Sequence, residues 1–213
     1  MNLGIDISEF NGNVKVTPDL DFIIIRAGDD DYWDYRLQEN IDKAVAAGVP
    51  YGLYWLIRDH TIAAAERTAA ALCAFADGQK VKPSVGIWCD VEAEYDHDPS
   101  EAIPYVKAFC GSVQDSGYYA GIYCSWWYYE HLYPSCAAFD CWIADWDNDP
   151  DNDPGVGTMK QYSTSGGTLD RDVSFVQLSV YQLNSDPKPA LTLDERVKAL
   201  EDKVKELERK MNK

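Results

Sequence analysis

Short, almost unbroken apolar runs alternate with longer stretches of helical period through the first two thirds of the chain. The strand candidates are Leu3–Ile7, Phe22–Arg26, Tyr51–Leu56, Val85–Asp90, Tyr119–Cys124 and Cys141–Asp145. Runs this apolar are expected of parallel strands covered on both faces. Helical stretches fall between them: Tyr35–Ala47, closed by Gly48; Ile62–Ala76, closed near Gly78; Glu101–Ser116, closed by Gly117; and a short one around Trp126–Leu132 ahead of Pro134. Repeated βα order predicts an α/β sheet or barrel with right-handed crossovers. After Asp145 the pattern changes. An acidic loop from Asp147 to Gly155 leads into short strands around Met159–Ser163 and Val173–Leu183 with no helix between them, so the last third is expected to be helix-poor and more antiparallel.

The tail has a third pattern. Asn184–Ala190 carries two prolines and reads as a linker. From Leu193 onward a heptad places Leu193, Leu200 and Leu207 at d with Val197, Val204 and Met211 at a. Arg196 and Lys203 at g then face Glu201 and Glu208 at e of a parallel copy, which predicts a homo-oligomer, dimer or trimer, through residues 193–213. The expected organisation is a folded domain over 1–183, a linker over 184–192 and a coiled-coil helix over 193–213.

Composition narrows the function. At 46% hydrophobic and 13% aromatic residues, with 7 Trp and 14 Tyr, the chain is a folded protein whose aromatic load suits a carbohydrate or other flat-faced ligand. A formal net charge of −17 argues against nucleic acid, because binding there rests on Lys and Arg neutralising phosphates. The same charge repels anionic lipid headgroups and wall polymers. No apolar stretch spans a membrane, and Met1 to Asp6 enters the first strand at once, so neither membrane insertion nor an export leader is expected. The six cysteines (Cys73, Cys89, Cys110, Cys124, Cys136, Cys141) lack zinc spacing and accompany only three histidines. They are expected to be reduced core residues, with Cys136 and Cys141 near enough in sequence to suspect a disulfide. No metal or cofactor is implied.

The candidate chemistry begins with Asp90 and Glu92. At i and i+2 on a strand, both side chains point the same way with Cα atoms about 6.5–7 Å apart. Ionised carboxylates are costly to desolvate, so a pair ending a buried strand suggests acid/base chemistry. The structural alternative is that these acids cap a helix or pair with Arg. The Asp147–Gly155 loop resembles a calcium loop, but prolines interrupt it and Thr158, not Glu, holds the twelfth position, which favours a plain solvated loop.

These segments, taken together, resemble glycoside hydrolase family 25, the muramidases of phage endolysins and bacterial autolysins. The resemblance covers residues 3 to about 177. It rests on Gly4-Ile5-Asp6-Ile7-Ser8, Phe22 to Gly28, Ala47 to Trp55, Asp90-Val91-Glu92, Gly121 to Ser125, Trp142 to Trp146, Lys160 to Ser163 and Asp170 to Ser174, in the family's order. It implies an irregular TIM-like barrel with a helix-poor last third, and hydrolysis of the β-1,4 bond between N-acetylmuramic acid and N-acetylglucosamine in bacterial peptidoglycan. Sites in such barrels lie at C-terminal strand ends, and Asp6, Asp90, Glu92, Asp145 and Asp172 all fall at or near predicted strand ends.

On this reading Glu92 is the general acid/base, its pKa raised by burial and by like charges on Asp90, Asp6 and Asp172. Asp90 is either a nucleophile or the group that steadies the substrate's own 2-acetamido; substrate assistance with retention is favoured. Asp6 and Asp172 help to position groups or water, and Asp170 is an equally spaced rival to Asp172. Tyr54, Tyr123, Asp145, Trp146 and Tyr162 are the substrate-binding candidates. Trp126-Trp127 either lines the groove or anchors the following helix. The segment Gly28 to Asp34 is more acidic than the family pattern, and Leu37 stands where an aromatic is expected. The endolysin resemblance implies a protein made in the cytoplasm and acting on the wall after release, or an extracellular one. Two rivals are a wall-carbohydrate-binding module of a phage tail or adhesin, against which four mutually repelling acids argue, and a metal-dependent deacetylase, which three scattered histidines disfavour.

Overall fold

The computed structural model describes residues 1–29, 32–58, 61–92, 98–133, 135–164 and 169–181 of the 213. Among them are nine strands: β1 (Asn2–Ile7), β2 (Phe22–Asp29), β3 (Tyr32–Trp33), β4 (Tyr51–Leu56), β5 (Ile87–Val91), β6 (Ala120–Ser125), β7 (Asp140–Ala144), β8 (Met159–Thr164) and β9 (Asp170–Ser174). Eight close into a barrel in the order β1-β2-β4-β5-β6-β7-β8-β9 and back to β1, while β3 folds back on the end of β2. Every barrel strand runs parallel to its neighbours except β9, which is antiparallel to both β8 and β1. The reversal has a functional consequence. The start of β9 lies at the same mouth as the C-terminal ends of the other strands.

The helices α1 (Leu37–Ala47), α2 (Ile62–Asp77), α3 (Pro99–Asp115) and α4 (Trp126–Leu132) fall between strands in the first two thirds, and no α-helix follows β7 among the described residues. This is the expected irregular (β/α) barrel with its helix-poor last third. Helix starts differ by a residue or two from the periodicity because capping sets them. The Asp34 carboxylate accepts the Arg36 N–H, so α1 begins at Leu37 rather than Tyr35. Asp98 caps α3 ahead of Pro99, two residues before Glu101. Gly48, in the left-handed region at φ 70°, ends α1 as its position suggests.

Strand alternation sorts the apolar residues into two cores. Outward-facing Ile5, Ile23, Leu53, Ile87, Ile122 and Ile143 pack under the helices. Inward-facing Phe22, Ile24, Trp88, Trp142 and Met159 fill the barrel. Trp88 lies edge-on to Trp142 at 6.0 Å and to Tyr181 at 5.7 Å. Gly121 makes this plug possible, since a Cβ there would meet the Trp88 ring at 2.3 Å. The expected strand Val173–Leu183 is corrected: the strand is Asp170–Ser174, and the chain then turns through a 3-10 helix at Leu178–Tyr181. The turn brings Tyr181 in as the barrel floor, where its hydroxyl bonds Ser174 Oγ and the Thr158 carbonyl. A straight strand would carry that ring past the floor.

All six cysteines are buried free thiols, so Cys136 and Cys141 are not joined. Among the described residues no helix is long and apolar enough to cross a membrane. The linker and coiled-coil expectations at 184–192 and 193–213 lie outside the described residues.

Candidate active site

Above the aromatic plug the inward positions turn polar. Arg26 on β2, Asp90 on β5 and Gln161 on β8 follow the parity of inward Phe22, Trp88 and Met159, Tyr54 on β4 and Tyr123 on β6 pack with the same inner core, and Asp6 on β1 and Asp172 on β9 join them through bonds to Gln161 and Trp142. Asp170 faces Asp6 across the β1–β9 ladder, and Asp172 faces both Gly4 and Gln161. Glu92, one residue past β5, is half-buried, and its charge bears on Asp90, Asp6, Tyr54 and Tyr123. The four acids expected to carry the chemistry, Asp6, Asp90, Glu92 and Asp172, are thus brought together at one mouth of the barrel.

A hydrogen-bond chain orders this cluster. Gln161 Nε2 donates to Asp6 Oδ2 at 2.8 Å. Gln161 Oε1 accepts from the Tyr123 hydroxyl at 2.9 Å and from Trp146 Nε1 at 2.7 Å. Trp142 Nε1, in the plug below, donates to Asp172 Oδ1 at 2.9 Å. Asp90 Oδ1 and Asp172 Oδ2 are buried and receive no hydrogen bond.

Crowding and burial keep protons on these acids. Burial is the larger cause for Asp6, followed by the charge of Asp170; with Glu92 they push it up to about 7 against the hydrogen bonds from Gln161 and Asp172. Asp90 is raised well above the carboxylate range by burial, then by Glu92 and Asp6, with Arg26 opposing. Asp172 is raised by burial and by Asp6 and Asp170, with the Trp142 indole opposing. Burial and the surrounding acids raise Tyr54 and Tyr123 as well, so both stay neutral donors.

The rim is aromatic. Arg26, buried, bonds Glu9 and Asp34 at 3.0 Å each, and its guanidinium lies 4.6 Å from the centre of the Phe10 ring. Phe10 is 75% exposed, and Trp146 is 58% exposed. These two rings flank the mouth from β1 and β7. Strand β3 pairs with the end of β2, and its Tyr32 bridges Arg26 and Glu9 by hydrogen bonds.

The other substrate-binding candidates divide. Tyr54 and Tyr123 face the acids, Tyr123 through Gln161. Trp146 reaches Gln161 from the rim. Asp145 points outward to Lys160, whose Nζ lies 3.6 Å from its carboxylate. Tyr162 sits half-buried at the shift in register between Gln161 and Ser163, its carbonyl accepting the Asn148 N–H. Trp126 packs against the outer core while Trp127 is exposed, which places the first as an anchor of α4. Sequence reasoning passed over Gln161 and Arg26. Alternation from Met159 and from Phe22 puts both on the inward face, the same signal that marked Asp90.

Among the described residues no three His, Cys, Asp or Glu side chains are placed to hold a metal ion.

Comparisons with known proteins agree with this geometry. The family model described as glycosyl hydrolases family 25 matches residues 5–170. No curated protein matches the chain in sequence. Solved structures share its fold. The modular autolysin LytC of Streptococcus pneumoniae matches with a TM-score of 0.69 at 22% identity, over 82% of this chain and 46% of that one. The bacterial lysozyme of Streptomyces coelicolor matches at 0.68 and 20%, over 84% and 94%. The catalytic domain of endolysin Ply40 from bacteriophage P40 of Listeria monocytogenes matches at 0.70 and 18%, over 84% and 96%. The chain spans about half the length of the autolysin, at 46%, and nearly all of the other two. LytC has also been solved with a synthetic peptidoglycan ligand.

Proposed function

The chain belongs to glycosyl hydrolases family 25, and on that premise we propose that it is a peptidoglycan hydrolase cleaving the β-1,4 bond between N-acetylmuramic acid and N-acetylglucosamine. The observation that carries the reading is the division of exposure among the acids. Asp6, Asp90 and Asp172 are buried, whereas Glu92, in the same electrostatic cluster, is open enough to meet a glycan.

Glu92, the half-buried acid of the cluster, gives its proton to the glycosidic oxygen as the bond to the anomeric carbon breaks. Asp90 Oδ1 is a buried acceptor awaiting a donor, and the substrate's 2-acetamido N–H supplies one. Held so, the acetamido oxygen attacks the anomeric carbon and forms a cyclic intermediate. Water deprotonated by Glu92 then opens it with net retention. Asp6 and Asp172, buried in the same cluster, position these groups. Tyr54 and Tyr123, kept neutral, donate to substrate oxygens, and Trp146 offers a face to a sugar ring. Tyr162 contributes from the β8 end, while Asp145, turned outward to Lys160, supports the loop that carries Trp146 and does not touch the glycan. The site acts on the wall outside the membrane, and residues 193–213 assemble copies of the chain.

Turbidity of purified walls with wild type and Glu92→Gln tests the assignment, with the released ends identified. Clearing that exposes new reducing ends on N-acetylmuramic acid, reduced about 10²–10⁴-fold in the variant, is expected. Wild type that releases no reducing ends from any wall would refute it.

A further inference from the structure

Gln161 belongs to none of the roles above, yet its side chain is 4% exposed and fully engaged. We propose that Gln161 is a positioning residue for hydrolysis: its carboxamide, oriented by the rim indole of Trp146, holds Asp6 as a hydrogen-bond acceptor and ties it to the state of the rim.

The orientation follows from donor chemistry. An indole N–H can only donate, so the end of the carboxamide 2.7 Å from Trp146 Nε1 must be the oxygen. Its NH₂ then has to face Asp6 Oδ2, and a proton on that oxygen would meet another donor. At the far side a second indole, Trp142, imposes the same rule on Asp172 Oδ1. The Gln161 carboxamide, fixed by one indole, thus closes one oxygen of Asp6, and a second indole closes one oxygen of Asp172. A proton on either acid is thereby disfavoured at these two oxygens, Asp6 Oδ2 and Asp172 Oδ1.

Other charges face Asp6 from the packed strands: Asp170 on β9, Asp90 and Glu92 from β5, and Arg26 on β2, with neutral Tyr54 on β4. All of these except Arg26 and Tyr54 are acids that oppose its ionisation. Gln161 therefore provides the donor from a neutral group that keeps Asp6 an acceptor. Because Trp146 is exposed, a sugar ring stacked on it lies two hydrogen bonds from that carboxylate.

The inference rests on the hydrolase reading and is tested by the pH dependence of kcat/KM for wild type, Gln161→Met and Trp146→Phe on one defined peptidoglycan between pH 4 and 9. Gln161→Met is expected to move the acidic limb upward by about half to one pH unit, since the ionised Asp6 loses a donor. Trp146→Phe keeps a ring at the rim but frees the carboxamide, and a smaller shift in the same direction is expected. Profiles of both variants that superimpose on wild type after scaling overturn the proposal, however far the rates fall. Should Gln161→Met not fold, the exposed Trp146→Phe decides alone. Wild type that releases no reducing ends refutes the hydrolase reading instead, a separate outcome.

Discussion

Asp6 is folded against its own ionisation. Its pKa of about 7 lies above the ordinary 3.8, so the folded chain binds a proton that the unfolded chain has released between those values. Stability therefore falls as pH rises through that window and levels off above 7, at about 1.4 kcal/mol per pK unit and thus on the order of a few kcal/mol. Asp6→Asn, permanently neutral, is expected to melt several degrees above wild type at pH 8 and at the same temperature at pH 4, while hydrolysis falls by about 10²-fold or more. Melting curves at the two pH values check this. A site that costs stability in this way is what function, rather than folding, would retain. At this scale Asp90 and Glu92 were legible because a two-residue period fixes their facing. The pairing of Gln161 with Asp6 was not, because 155 residues separate them and only the pairing of β9 with both β8 and β1 brings them together.

Strand β8 uses its two faces for two tasks. Gln161 points in, and Lys160 points out, fully buried, into the loop that follows β7. Its Nζ contacts Asp147 at 2.7 Å and the carbonyls of Asn152 at 2.9 Å and Asp149 at 3.1 Å. The resemblance of Asp147–Gly155 to a calcium loop has a physical basis, since the loop does wrap a cation, but the cation is an ammonium from the chain itself. The expected plain solvated loop is thus an internally anchored one that presents Trp146. For Asp147 partial burial works upward, but Lys160, the Asp149 N–H and Asn152 outweigh it and hold the carboxylate down to about 2. Stability from this contact is full above pH 4 and is lost as pH falls towards 2. Lys160→Met is expected to cost about 1–2 kcal/mol at pH 7, discounted because Asp147 reaches solvent, with the difference narrowing below pH 4. It should also raise KM several-fold with less change in kcat, as Trp146 loses its anchor. Thermal melts and steady-state rates test both.

Over the whole molecule charge sets the approach to substrate. With a formal net charge of −17 the chain is repelled by an anionic wall until it is close. Raising ionic strength from about 0.01 M to 0.15 M shortens the screening length from about 30 Å to 8 Å. Clearing of anionic walls should therefore quicken several-fold across that range through a lower KM, whereas a short soluble oligosaccharide of alternating N-acetylmuramic acid and N-acetylglucosamine, with few charges, should show a smaller change. A flat salt response with walls would mean that approach is not limited by charge. The sheet explains how such a chain folds: among the described residues the apolar side chains form two cores on either side of one closed sheet, and the inward acids gather at its mouth.

The sequence by itself determined the alternation of buried strands and helices, the loss of helices between β7 and β9 among the described residues, and the common facing of Asp90 and Glu92. Those properties depend on residue type at short spacing, which a linear reading contains. Only the tertiary structure decided that the sheet closes, that β9 runs against its neighbours, and that Tyr181 turns inward as the floor. Closure pairs β1 with β9, and with it Asp6, Gln161 and Asp172 become neighbours.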